Sequence, residues 1–142
     1  MLYNRYLKNK KECPFCSLKK EEIIRKNNSA FLILAQAPYT KDHLLAIPKR
    51  HVTKLNKLTK KEKEDVEKLI YYGIKRLHKK YDDASMIYRE GRKEKIGKSI
   101  DHMHYHLIPK IRITTEKNIR NRKMLSDKEY LRKTKDFKKR FK

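Results

Sequence analysis

The segment Ser99-Ile-Asp-His-Met-His-Tyr-His-Leu-Ile-Pro109 sets a histidine at every second position of an apolar run. Met103, Tyr105, Leu107 and Ile108 favour extended backbone, and a strand sends successive side chains to opposite faces. His102, His104 and His106 are therefore predicted to share one strand face, with about 7 Å between neighbours. Three imidazoles on one face make a candidate site, because each can act near neutral pH as a nucleophile, a proton donor or a metal ligand. The alternative is three solvent-facing polar residues on a half-buried strand.

The rest of the chain reads as one domain built around that strand. Its 142 residues and 37% hydrophobic content suffice for one small core. Ser17 is placed to cap a short helical turn from Leu18 to Glu22. Ile23 to Lys26 and Ala30 to Leu34 read as a hairpin, its turn made by Asn27-Asn28 because asparagine tolerates left-handed backbone. A loop over 36–42 leads into a third strand, His43 to Pro48, which puts His43 at the strand's start and ends pairing at the proline. Thr59-Lys-Lys-Glu62 is a capping box, and Val66, Leu69, Ile70, Gly73, Ile74 and Leu77 form one face of a helix from about 60 to 80. His78, near that helix end, is expected to be structural. Ala84 to Tyr88 reads as a fourth strand, antiparallel to the histidine strand and joined to it by a charged loop. Ser126-Asp-Lys-Glu129 is placed to cap a last helix carrying Leu131 and Phe137, which packs on the domain or orders on a partner.

Charge bounds the partners. The formal net charge of +23 attracts phosphate-bearing ligands, nucleic acid included, while an AT-rich genome's lysine bias would produce the same excess without function. From Thr114 onward, twelve Lys and Arg face four Asp and Glu, so this tail is predicted to add affinity for nucleic acid or another polyanion. No apolar run approaches membrane-spanning length and the start is charged, so a soluble, intracellular, cytoplasmic protein with no membrane partner is expected. In a reducing compartment the only cysteines, in Cys13-Pro-Phe-Cys16, fit a metal or redox pair better than a structural disulfide.

With His43-Leu-Leu-Ala-Ile-Pro-Lys-Arg-His51 and His102-Met-His-Tyr-His-Leu-Ile-Pro109, the Pro38-Tyr39 loop and the Gly97-Lys-Ser99 lead-in, the chain resembles the histidine triad (HIT) nucleotide hydrolases and transferases over about residues 12–113. The resemblance implies an α+β fold with a HIT-like antiparallel β-sheet, one long and one short helix, and a homodimer. It divides the chain into a catalytic domain with an N-terminal zinc-binding segment over 1–113 and a basic C-terminal extension over 114–142, partly helical or disordered. On the family pattern His104 is the nucleophile that attacks the α-phosphorus of a nucleotide, His106 and His43 contact phosphate oxygens, and Ser99 contributes a hydroxyl to the phosphate or leaving group. Cys13, Cys16, His51 and His102 match the four ligands of a structural zinc in those members that carry Cys-x-x-Cys; the dithiol by itself also admits a redox role.

The departures point toward phosphate. Arg89 and Lys98 stand where the family usually offers Asn and Gln, and Ala35 where an Asp or Asn usually holds the ribose hydroxyls. The implied activity is cleavage at the α-phosphate of a nucleotide conjugate, a dinucleoside polyphosphate or an adenylylated compound, through a nucleotidyl-histidine. Rival readings are a nucleic-acid-binding module whose charge does the work, and a hydrolase of a nucleotide cap or adenylate on a nucleic-acid 5′ end.

Overall fold

The computed structural model describes residues 13–91, 100–110 and 122–142. Strands β1 (Ile23–Lys26), β2 (Ala30–Leu34), β3 (Leu44–Pro48), β4 (Ala84–Tyr88) and β5 (Tyr105–Pro109) form one antiparallel sheet in the order β1-β2-β3-β5-β4. Among the described residues two α-helices accompany it, α1 (Lys60–Leu77) and α2 (Asp127–Arg140). The architecture is α+β with an antiparallel sheet, as the resemblance implies. The turn after Ser17 is a short 3-10 segment, Lys20–Glu22.

Local chemistry explains the elements. The hairpin between β1 and β2 turns on Asn27, but not by left-handed backbone: neither Asn27 nor Asn28 has a positive φ. Instead the Asn27 side-chain oxygen accepts from the backbone N–H groups of Ser29 and Ala30 at 3.2 and 3.0 Å, while its amide donates to the Asp65 carbonyl at 2.8 Å. Helix α1 opens with the expected capping box. Thr59 Oγ1 accepts from Glu62 N at 3.1 Å and Glu62 accepts from Thr59 N at 2.9 Å. The helix stops at Leu77, where His78 Nδ1 bonds the Tyr81 carbonyl at 3.1 Å.

Strand alternation divides the core between the two faces of the sheet. Leu44 lies opposite both Leu34 and Leu107, and with Leu32 and Ala46 these side chains meet Val66, Leu69 and Leu77 of α1. Gly73 lets α1 approach closely, since a methyl there would lie 2.7 Å from Leu107 Cδ1. Leu45, one residue along, lies opposite Ile33 and His106, and this second face packs against Phe15 and Ile100. The functional groups gather there.

The C-terminal segment packs on the domain. Tyr130, Phe137 and Phe141 are buried in the same cluster as Leu32 and Leu44, at the i, i+7, i+11 spacing of one helix face; Leu131 stays half-buried. Ser126 caps α2, its Oγ accepting from Glu129 N at 3.2 Å. The same segment grips the loop that leads to His43. Leu125 N donates to the Gln36 carbonyl at 2.8 Å, Tyr130 Oη to the Leu34 carbonyl at 2.8 Å, and Arg140 forms an ion pair with Asp42 at 2.8 Å. Asp42 has φ 66°, a strained position for a non-glycine residue that Arg140 and the Tyr81 hydroxyl hold in place. No described helix is long and apolar enough to cross a membrane.

Candidate active site and metal site

The histidine run does not form one continuous strand face. β5 starts at Tyr105, so His102 and His104 precede it on backbone that bonds elsewhere, Met103 N donating to the Val52 carbonyl at 2.7 Å. The run therefore splits between two clusters, and Phe15 stands between them. Its ring meets His102 and His104 edge-on, with centroids 5.8 and 5.2 Å away.

The first cluster holds sulfur and nitrogen. Cys13 Sγ and Cys16 Sγ each lie 3.5 Å from His102 Nδ1, and Cys16 Sγ lies 3.3 Å from His51 Nδ1. His102 Nε2 donates to the Pro48 carbonyl at 2.7 Å, which leaves Nδ1 as the free lone pair aimed at the thiols. One donor atom from each of the four residues lies within 4.8 Å of the others, so Cys13, Cys16, His51 and His102 could hold a metal ion.

The second cluster is all imidazole. His104 Nδ1 donates to the carbonyl of His102 at 3.0 Å, which puts the remaining lone pair on Nε2. His43, immediately before β3, and His106, on β5, are joined by a 2.9 Å bond between Nε2 of the first and Nδ1 of the second. Direction follows from the donors. Tyr39 N–H can only donate, and it reaches His43 Nδ1 at 3.2 Å, so His43 carries its proton on Nε2 and gives it to His106 Nδ1. His106 must then carry its own proton on Nε2. The His104 and His106 ring centroids are 4.7 Å apart.

Electrostatics support neutral rings. His43 and His106 are held well below the ordinary histidine value of 6.5, chiefly by burial; next in weight come the Arg122 charge for His43 and the neighbouring His104 for His106. Burial also lowers His102, against its bond to Pro48.

A cavity of about 220 Å³ opens beside these rings. His104 and His106 line it, Phe15, Leu18, Ile33 and Leu45 give it an apolar wall, and Ala35 lies on its lining. The C-terminal segment adds Arg122, Asp127 and Tyr130.

Residues 18–113 match the family model described as HIT domain. The chain belongs to the HIT domain family. An adenosine 5′-monophosphoramidase of Schizosaccharomyces pombe is 28% identical over 102 residues, 69% of this chain and 74% of that one. Among solved structures, a hypothetical histidine triad nucleotide-binding protein of Sulfolobus tokodaii superposes with a TM-score of 0.68 at 21% identity, covering 91% of each chain. The diadenosine triphosphate hydrolase of Plasmodium falciparum superposes with a TM-score of 0.65 at 18% identity, covering 99% of each. The NitFhit protein of C. elegans gives 0.70 at 18% identity over 87% of this chain, which spans only 28% of that protein.

Of the residues expected at this HIT site, the structure brings His43, His104 and His106 together, and it gathers Cys13, Cys16, His51 and His102 beside them. Arg89 follows β4 at the same end of the sheet, close enough for its charge to act on His43 and His106. Ser99 and Lys98 lie outside the described residues. Sequence reasoning missed Phe15 as the wall between the clusters, although its place inside Cys-Pro-Phe-Cys was open to view. It also missed Arg122, for which no local signal exists.

Proposed function

We propose that this chain is a HIT-family phosphohydrolase or nucleotidyltransferase that cleaves a nucleotide conjugate, such as a dinucleoside polyphosphate or an adenylylated compound, at the α-phosphate. The observation that carries this reading is the 3.0 Å bond from His104 Nδ1 to the His102 carbonyl. A neutral imidazole attacks phosphorus only from its unprotonated nitrogen; the backbone acceptor makes that nitrogen Nε2, on a ring that lines the cavity. Attack forms an Nε2–P bond as the bond from phosphorus to the leaving group breaks. Water then displaces His104, releasing the nucleoside monophosphate and restoring the neutral imidazole; an acceptor hydroxyl in place of water instead carries the nucleotidyl group away as its phosphate ester.

His106 presents Nε2–H as a donor for a phosphoryl oxygen or the leaving group, and His43 with the Tyr39 N–H fixes that tautomer. In this reading Ser99 adds a hydroxyl to the phosphate or leaving group, as the family pattern implies, and Arg89 and Lys98, which depart from the family's usual Asn and Gln, add positive charge toward the phosphates.

Zinc is the metal proposed for the second cluster. Zn–S bonds of about 2.3 Å and Zn–N bonds of about 2.0 Å put tetrahedral S···N pairs about 3.5 Å apart, and three of the four S···N pairs lie at 3.3 to 3.5 Å, with all four donor atoms within 4.8 Å of one another. When bound, the ion would be structural, tying Cys13-Pro-Phe-Cys16 to the histidine run and so setting Phe15 against the cavity. The reading also takes the protein as a cytoplasmic homodimer acting on a nucleotide, and it leaves nucleic acid as a secondary partner of the basic surface.

The test is a panel of nucleotide conjugates with product analysis. Release of a nucleoside monophosphate by wild type, and its loss in His104→Ala, is the expected result. No turnover of any nucleotide conjugate by the metal-loaded protein would overturn the reading.

A further inference from the structure

We propose that Arg122, supplied by the C-terminal segment beyond the family-matching residues, binds the phosphate of the substrate in the triad cavity and is its principal buried counter-charge. The inference rests on the nucleotide reading above and assigns a residue that the family-matching region, 18–113, does not contain.

Placement comes first. Arg122 is 8% exposed and lines the same cavity as His104 and His106. One guanidinium nitrogen donates to the Ala37 carbonyl at 2.9 Å, and the guanidinium carbon stands 4.3 Å from the centroid of the Tyr39 ring. Tyr39 stacks in turn on His43, with ring centroids 5.2 Å apart and planes 16° from parallel. The cation is thus fixed by backbone and ring contacts one layer from the triad.

Charge balance gives the placement its meaning. Burial keeps His43 and His106 neutral, so these imidazoles offer donors to a phosphate but no positive charge. A phosphate entering the cavity brings at least one negative charge into a poorly solvated site, which is costly without a cation nearby. Arg122 provides that cation with several N–H groups suited to phosphate oxygens. The acid on the same lining, Asp127, accepts from Gln36 Nε2 at 2.9 Å. The chain folds its own tail back over the His43 loop, and this brings the guanidinium to the triad.

The test compares nucleoside with nucleotide. Full-length wild type, Arg122→Gln and Arg122→Lys, all metal-loaded, are titrated with AMP, adenosine, GMP and guanosine. The expected result is that Arg122→Gln lowers the nucleotide-to-nucleoside affinity ratio by about 10- to 100-fold while nucleoside affinity stays within about twofold, and that Arg122→Lys recovers part of the ratio. An unchanged ratio overturns the proposal, whether both affinities hold or both fall together, because a purely structural arginine would move both ligands alike. If wild type binds none of the four, the nucleotide reading itself fails; if wild type binds nucleotides and Arg122→Gln keeps their ratio, only the role of Arg122 fails.

Discussion

His102 and His104 are two residues apart and both buried, yet the backbone gives them opposite chemistry. His102 donates Nε2–H to the Pro48 carbonyl and turns Nδ1 toward two thiols. His104 donates Nδ1–H to the His102 carbonyl, which puts its lone pair on Nε2, and its ring lines the cavity. What an imidazole can do is thus set by which nitrogen a carbonyl takes: the Pro48 carbonyl leaves one ring able to join the cysteines around a metal, and the His102 carbonyl leaves the other the tautomer that the proposed nucleophile needs. Phe15 keeps the two environments apart while touching both.

Breaking the nucleophile cluster should leave the metal cluster whole. His104→Ala is expected to lower turnover by about 10³-fold or more, with bound metal and melting temperature close to wild type. Rapid-quench product assays beside elemental analysis check this, and loss of metal in the variant would show that the clusters are not separable.

The converse change sharpens the comparison. Cys13→Ser or His102→Ala should abolish stoichiometric metal and lower stability by on the order of 5 kcal/mol, since metal binding free energy is linked to folding. His102→Ala keeps the carbonyl that orients His104, so its folded fraction should retain measurable turnover. Denaturant titration with and without added zinc reads the first effect, and turnover per folded molecule reads the second.

Acid should distinguish the clusters more gently. A histidine whose folded pKa is depressed contributes its full stability above its unfolded value, and that contribution is lost as pH falls below it. His43 and His106 are both depressed from 6.5, so stability should decline below about pH 6.5, by up to about 1.4 kcal/mol per pH unit for each. Their imidazole C–H resonances should remain at the neutral position as pH passes downward through 6.5. Ordinary titration near that value would mean that the triad is solvated. The smallest effect is expected at the wall: Phe15→Leu should cost about 1 kcal/mol with the metal retained, read from the denaturation midpoint of the loaded protein.

The fold was legible because its signals are local. Thr59 and Glu62 cap α1 as their spacing indicates, and the apolar stripe from Val66 to Leu77 meets Leu44 and Leu107 on the sheet. The two histidine clusters were legible through resemblance of spaced motifs, since alternation alone gives only a shared face. Alternation missed their division, which depends on the local His102 carbonyl and on two contacts between segments about fifty residues apart, His102 with the Pro48 carbonyl and Met103 with Val52. Asn27 shows the same limit at short range, since its side chain makes the turn that its backbone tolerance was expected to make. Arg122 was out of reach. Its neighbour Tyr39 is more than eighty residues away in sequence, and the packing of Tyr130, Phe137 and Phe141, with the bonds from Leu125 to Gln36 and from Tyr130 to Leu34, brings the two segments together.

The most direct measurement is to trap the covalent intermediate. His106→Ala, or wild type with a slow nucleotide conjugate, is quenched without acid, and its intact mass and peptides are read for a nucleotidyl group. The account predicts one such group, bound through nitrogen to His104 and absent when His104 is replaced by alanine. A nucleotidyl group on any other residue, or full-rate turnover by folded His104→Ala, would contradict it.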